Sequence, residues 1–494
     1  MNYWIDFLEK NALEFPNKIA IIDQESARRL TYKELNHEVE LWSSVLLSQN
    51  VSKKDSVAFL NSQNCLAHLT LMLACSKIGA LFVPLNFRLS KSEIEEVVIR
   101  LEPKLYIGNG DKFLNVTTQY LNLQTVDFSL HESKIQKNKF DKSGLDETIL
   151  MLFTSGSTGV PKGVMFHGEM LLSNQVETCK GWGLTSDDVT LVETPFFHTG
   201  GYNVLLLPLL YLGGTAILAQ SFNPDNVFDC IEKEKVSVYF GVPTMFQMLL
   251  EKPRFKTCDF SSLRFFISGG AACSVPMIEE YQKKNLMFKQ GFGLTEVGPN
   301  YFLLDEKDAI RKSGSIGKPM PHSIVRVETK DGKEAMVNEP GELLITGPHV
   351  CAGYYQNAEA FKETYKNGYF YTGDLVKFDE EGFFYVVGRI KDMYISGGEN
   401  VYPGEVERQI TSHAEISEAV VVSVPSEKWG EVGFAFLKTN LETMTIEALR
   451  DYLNPLLSRY KHPHYICALK DFPLLANGKV DRKILKKKAL EIVV

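Results

Sequence analysis

A chain of 494 residues exceeds what one hydrophobic core usually supports, so two or more domains are expected. Its 44% hydrophobic and 23% charged content excludes a disordered or fibrous chain, and a formal net charge of −8 argues against a nucleic-acid surface. The eight scattered cysteines contain no C-x-x-C pair, which speaks against a zinc site or a disulfide framework and for buried, reduced thiols in a cytoplasmic protein.

The first ten residues carry Asp6 and Glu9 and lack a basic start with an apolar stretch behind it, so they do not read as a signal peptide. From about 17 to 150, helical and strand patterns alternate. Thr31 followed by Glu34 reads as a capping box that opens a helix running toward residue 48. Residues 56–60 read as a strand, 66–78 as a helix and 81–85 as another strand. Such alternation implies parallel sheets covered by helices. The apolar runs 69–85 and 203–219 are broken by Lys77, Gly79 and Pro84 in the first and by Pro208, Gly213 and Gly214 in the second. A membrane span needs roughly 20 clean apolar residues, so both runs read as core.

The apolar run 149–153 reads as a buried strand. It leads into Thr154-Ser155-Gly156-Ser157-Thr158-Gly159-Val160-Pro161-Lys162-Gly163, and a helix is expected from about 168 to 180. Glycines admit close backbone approach, hydroxyls and N–H groups donate to oxygens, and a lysine balances charge, so this turn suits phosphate. It is not a Walker A loop: counting from Gly156, Pro161 stands where the second glycine belongs and Gly163 where the Ser/Thr belongs. A flexible surface loop is the plain alternative for the stretch taken alone.

Farther on, strands are expected at 215–219, 236–240 and 263–267, with helices at 224–235 and after Gly241-Val242-Pro243-Thr244. The strand at 263–267 ends on Ser268-Gly269-Gly270-Ala271. Ligands of open α/β sheets gather at the carboxyl ends of strands, which groups these glycine-bearing loops in one cleft. Near Ser313 the texture changes, and 322–329, 341–347 and 382–388 alternate as in a small antiparallel barrel or sheet. From about Lys391 a further change suggests a separate α+β domain of roughly 100 residues, with strands at 418–424 and 432–438, a helix over 445–460 and a basic last helix.

Taken together, the motifs resemble the adenylate-forming superfamily, and within it the acyl-CoA synthetases. The resemblance covers nearly the whole chain. It rests on the phosphate turn, then Pro195-Phe196-Phe197-His198, Ser268-Gly269-Gly270-Ala271, Gly291-Phe292-Gly293-Leu294-Thr295-Glu296, Tyr371-Thr372-Gly373-Asp374, Gly388-Arg389-Ile390-Lys391-Asp392 and Asn477-Gly478-Lys479, in that order. It implies an α/β fold: a large N-terminal domain (1–390) of doubly wound sheets plus a small β-barrel, and a small mobile α+β C-terminal domain (391–494). It also implies an acid–thiol ligase that uses ATP, Mg2+ and CoA.

The same resemblance assigns roles. Thr154, Ser155, Gly156, Ser157, Thr158, Gly159 and Lys162 would cradle phosphates, and Lys479 would bridge the carboxylate and the α-phosphate. Two anions must meet, so cations and fixed donors are needed where negative charge develops. Thr295 would contact phosphate and Glu296 would hold magnesium. Asp374 would accept from the ribose hydroxyls, a cis-diol suiting a bidentate acceptor, with Arg389 beside it. Phe292 would stack on adenine, where most relatives carry tyrosine, and Gly269, Gly270 and Ala271 would form the opposite wall, with Gly291 and Gly293 close by.

His198 would sit where the acid and the thiol meet, and Gly200, Gly201, Tyr202, Gly241 and Val297 would line the acid pocket. Lys391 would be the hinge, and Ser396, Gly397, Gly398 and Glu399 would border the CoA channel. The overall texture favours a medium- or long-chain fatty acid. An aryl or succinylbenzoate-type acid, an adenylation enzyme charging a carrier protein, and an inactive nucleotide-binding relative are the alternatives. No integral membrane segment is expected; peripheral membrane contact and self-association stay open.

Overall fold

A computed structural model describes residues 2–109, 117–135, 140–154, 161–271, 273–321, 323–413, 415–439, 444–475 and 480–493. Four sheets organise it. A seven-stranded sheet carries Ser56–Leu60, Leu81–Pro84, Leu105–Gly108 and Thr148–Thr154 in parallel, with Lys162–His167 and Gly353–Tyr354 antiparallel at one edge. A nine-stranded sheet has Ile19–Asp23, Thr215–Leu218, Val189–Val192, Val238–Gly241, Phe265–Ser268 and Phe288–Leu294 running parallel through its middle.

Helix Leu66–Lys77 lies in the core these sheets share, and all twelve of its residues are buried. Hydrophobicity all round a helix marks it as enclosed by protein. Its one charge, Lys77, is held at 2.9 Å by Glu9 and 3.0 Å by Glu40. No helix among the described residues is long and apolar enough to cross a membrane. Helix Tyr32–Ser48 starts with the capping box, Thr31 Oγ1 accepting from Glu34 N–H and Glu34 Oε2 accepting from Thr31 N–H at 2.8 Å. All eight cysteines are free thiols and seven are buried.

A five-stranded antiparallel sheet follows, built from Ile324–Glu328, Gly341–Thr346, Tyr365–Lys366, Tyr369–Phe378 and Phe384–Arg389. Ile390–Asp392 is a short 3-10 turn, and beyond it lies a second five-stranded sheet around the long hairpin Ile416–Ser426 and Gly430–Thr439. Helix Pro403–Thr411 packs this last unit against Phe384–Arg389. A side chain on Gly404 would meet the Val387 carbonyl at 3.3 Å, and one on Gly388 would meet Tyr402 at 3.1 Å.

Two elements differ from the sequence reading. The glycine-rich turn leads into a strand, Lys162–His167, before helix Gly168–Trp182 begins, and Thr154 pairs with Lys162 across an antiparallel hairpin. The helix expected over 445–460 is Ile446–Leu453 only. Asn454 still has helical backbone (φ −51°, ψ −43°), but Pro455 has no N–H to donate back to the Asp451 carbonyl, so the ladder of helical hydrogen bonds stops there.

Candidate active site

Strand ends and loops from all of these units open on one cleft of about 3100 Å3. Of the residues singled out from the sequence, Thr154, Lys162, His198, Gly200, Gly269, Gly270, Ala271, Gly291, Gly293, Thr295, Glu296, Asp374, Arg389 and Lys391 line it. Ser155, Gly156, Ser157, Thr158, Gly159 and Lys479 lie outside the described residues.

Asp374 and Arg389 face each other across adjacent strands, with Arg389 Nε 2.5 Å from Asp374 Oδ1. Asp374 is 2% exposed. The stretch of strand in front of it is tied down: Thr372 Oγ1 donates to the Leu343 carbonyl at 2.8 Å and accepts from Asp374 N–H at 3.1 Å. Gly373 has φ +71°, which glycine adopts without steric cost, and its N–H donates to Glu342 Oε1 at 3.0 Å. Burial, with Glu328 and Asp374 adding like charge, pushes the Glu342 carboxyl up from its ordinary range.

Glu296 follows strand Phe288–Leu294. Its Oε1 accepts from Tyr354 Oη at 3.1 Å, and its Oε2 has no partner among the described residues. Lys162 Nζ stands 4.8 Å from the centre of the Tyr354 ring, so this tyrosine ties the hairpin lysine to the glutamate. Burial and the Glu296 charge raise the Tyr354 phenol, which therefore stays a donor.

The glycines have steric reasons. A Cβ on Gly293 would stand 2.2 Å from the Gly298 carbonyl oxygen, and one on Gly201 2.5 Å from that of Pro195. Gly269 is buried against Phe240, where a Cβ would meet the ring at 3.1 Å. His198 is half-buried with its ring 4.4 Å from that of Phe197, and its carbonyl accepts from Gly201 N–H at 3.0 Å.

Other candidates sit elsewhere. Tyr202, read as an acid-pocket residue, is instead wholly buried in the large core. Its hydroxyl donates to the His68 carbonyl at 3.0 Å and its ring packs on Phe196. Val297 is likewise 0% exposed, in the core of the barrel-like sheet. Neither reaches the cleft, and Gly201 and Gly241 are absent from its lining. Phe292 is half-buried, edge-on to Phe302 at 5.7 Å, because the strand turns Gly291 and Gly293 toward the cleft and the residue between them away. Ser396, Gly397, Gly398 and Glu399 form a hairpin turn beside Trp429 and do not line the cleft. Leu474 and Val480, which pair in a backbone bridge just outside residues 475–479, do line it, as does Asp481.

Residues 8–355 match the family of AMP-binding enzymes, and residues 405–479 match the AMP-binding enzyme C-terminal domain. The chain belongs to the AMP-binding enzyme family. It is 35% identical to a feruloyl-CoA synthase of an Amycolatopsis species over 461 residues, covering 91% of this chain and 92% of that one. It is 34% identical to an indoleacetate–CoA ligase of Aromatoleum aromaticum over 500 residues, covering 97% and 96%. Among solved structures it resembles the o-succinylbenzoate CoA synthetase of Bacillus subtilis in complex with ATP and a magnesium ion. The two are 29% identical with a TM-score of 0.85, over 97% of this chain and 99% of that one.

As an AMP-binding enzyme of this kind, the chain is an acid–thiol ligase that uses ATP, Mg2+ and CoA. The donor set fits the ion. Among the described residues no three His, Cys, Asp or Glu side chains converge on a metal, and magnesium is commonly held by one carboxylate plus substrate phosphates. Glu296, which lines the cleft, would offer such a carboxylate. Tyr354, Glu193 and Asn300 also line the cleft of this AMP-binding enzyme, and sequence reasoning missed them. Tyr354 follows Gly353 in an unremarked short strand, and no local spacing links it to Lys162 or Glu296.

Proposed function

We propose that the protein is an AMP-forming aryl-acid–CoA ligase, joining an aromatic or similarly bulky carboxylic acid to CoA through an acyl-adenylate. The observation that carries the reading is the convergence of Lys162, His198, Glu296, Asp374 and Arg389 on one cleft that Val480 and Asp481 also border.

A carboxylate needs a better leaving group than oxide before a thiol can displace it. Attack on the α-phosphate of ATP expels pyrophosphate and leaves the mixed anhydride. Lys162 faces the negative charge of the polyphosphate. Glu296 would hold Mg2+ together with phosphate oxygens, and that ion supplies charge neutralisation. Asp374 accepts from the ribose hydroxyls while Arg389 keeps its carboxylate oriented. Gly269, Gly270 and Ala271 leave room for the nucleotide, with Thr154 and Thr295 as phosphate donors. Lys479, next to the cleft-lining Val480, bridges the two anions in the adenylating step. CoA then attacks the adenylate carbonyl near His198 and AMP departs.

The division 1–390 and 391–494 with Lys391 as hinge belongs to the same reading. The turn 396–399 stands away from the cleft while the stretch on either side of 476–479 borders it, which supports an adenylating arrangement of the small domain. A swing about Ile390–Asp392 would exchange the two for thioester formation.

The acid is assigned as aromatic because Val204, Phe240, Ile267 and Gly291 line the cleft together with His198, the indole of Trp182 lies behind Gly291, and the feruloyl-CoA and indoleacetate–CoA relatives are named for aromatic acids. A pyrophosphate-release screen across acids of graded length and aromaticity, with and without CoA, tests the assignment. Turnover of aryl acids well above alkanoates supports it, and turnover of long alkanoates alone would refute it.

A further inference from the structure

The cleft wall beside Gly291 holds a polar group that none of the steps above uses. Asn300 is 2% exposed and lines the cleft together with Val204, Phe240 and Ile267. Its Nδ2 donates to Thr178 Oγ1 at 2.8 Å and to the carbonyls of Asn203 and Val204 at 3.1 and 3.2 Å. Backbone carbonyls accept and never donate, so they fix the amide: the NH2 points at them and Oδ1 points away. No donor among the described residues reaches that oxygen. It lies 3.9 Å from where a Cβ on Gly291 would stand, and Gly291 borders the cleft. Trp182 Cζ2 is 3.1 Å from the same point, so the ring packs directly behind Gly291.

An apolar ligand pressed against this wall would bury an unpaired acceptor, whereas a ligand N–H or O–H would pair it. Sites with a buried polar group reject the analogue that cannot pair with it far more strongly than they reject a missing methyl. We propose that Asn300 reads a hydrogen-bond donor, a phenolic hydroxyl or a ring N–H, on the substrate at the end remote from its carboxylate. The inference rests on the aromatic-acid reading above. It narrows that reading to ring acids carrying such a donor.

The test compares kcat/KM for pyrophosphate release with matched para-hydroxy, para-methyl and para-methoxy aryl acids and one unbranched alkanoate. It uses the intact enzyme and Asn300→Leu, with thermal melting as a folding control. The intact enzyme is expected to favour the hydroxy acid over its methyl isostere by about tenfold or more, and to reject the methoxy acid, which can only accept. In Asn300→Leu that preference is expected to fall to about twofold or less or to reverse, with melting retained. Equal turnover of hydroxy and methyl acids by the intact enzyme, as when a bound water already serves Oδ1, overturns the inference and leaves the aromatic reading standing. So does a preference that survives the substitution. Turnover of the alkanoate with none of the aryl acids overturns the aromatic reading as well. If Asn300→Leu does not fold, the intact enzyme's ranking of the three substituents decides alone.

Discussion

Glu193 sits at the end of strand Val189–Val192, 4% exposed and bordering the cleft. Tyr239 Oη donates to it at 2.9 Å, the Asn223 N–H at 3.2 Å and Asn226 Nδ2 at 3.4 Å. Burial outweighs these donors and pushes its pKa up to about 7 from an ordinary 4.5. A carboxyl that holds its proton more tightly folded than unfolded stabilises the fold most fully below 4.5. That contribution is lost as pH rises through about 7. Glu193→Gln, which mimics the protonated form, is therefore expected to flatten the fall in stability between those values. The gain above neutral pH would be on the order of 3 kcal/mol, read as melting temperature against pH. Parallel curves for the two proteins would remove the assignment. Asp374→Ala should raise KM for ATP by about tenfold or more through loss of the ribose acceptor, without comparable loss of melting temperature. An unchanged KM would contradict the ribose role. Asp374 and Arg389 were legible in sequence because each sits in a short motif. Tyr354, Glu193 and Asn300 were not, since each acts through partners tens to hundreds of residues away that only the sheets bring near.

At the scale of elements, alternating hydrophobic patterns located most strands and the large helices, because burial on one or two faces imposes a period on the sequence. Strand Lys162–His167, which pairs back on Thr148–Thr154, was not legible in the sequence, although the strand before it and the helix from Gly168 were. Gly163-Val164-Met165-Phe166 is too short an apolar run for periodicity to separate strand from helix. Tyr202 was misplaced because a motif gives order along the chain but not the face on which a side chain emerges. Gly293 shows what such a strand requires. The backbone of 298–299 crosses so close that no Cβ fits, and the obstructing atoms are backbone, which cannot turn aside. Gly293→Ala is expected to cost about 1–3 kcal/mol from overpacking and to depress adenylate formation. A variant with unaltered melting and activity would show that the crossing strands shift freely.

For the whole molecule, the account requires one cleft to serve two reactions through a small domain that takes two positions. The contacts of helix Pro403–Thr411 with strand Phe384–Arg389 describe one of them. Lys391→Pro fixes φ at the proposed hinge and should slow the full reaction more than adenylate formation alone; unaltered turnover would move the hinge elsewhere. The presence of a large N-terminal and a small C-terminal domain was visible in the sequence as a change of texture; the boundary at Lys391 belongs to the proposal. The relative placement of the domains was not visible, because few local contacts encode it.

The most direct test is a half-reaction comparison on Lys479→Ala. Adenylate formation from acid and ATP, and thioester formation from a supplied acyl-adenylate and CoA, are each measured beside the unaltered enzyme. The account predicts loss of about a hundredfold or more in the first step and little change in the second. Equal loss in both, or no loss in the first, would contradict it.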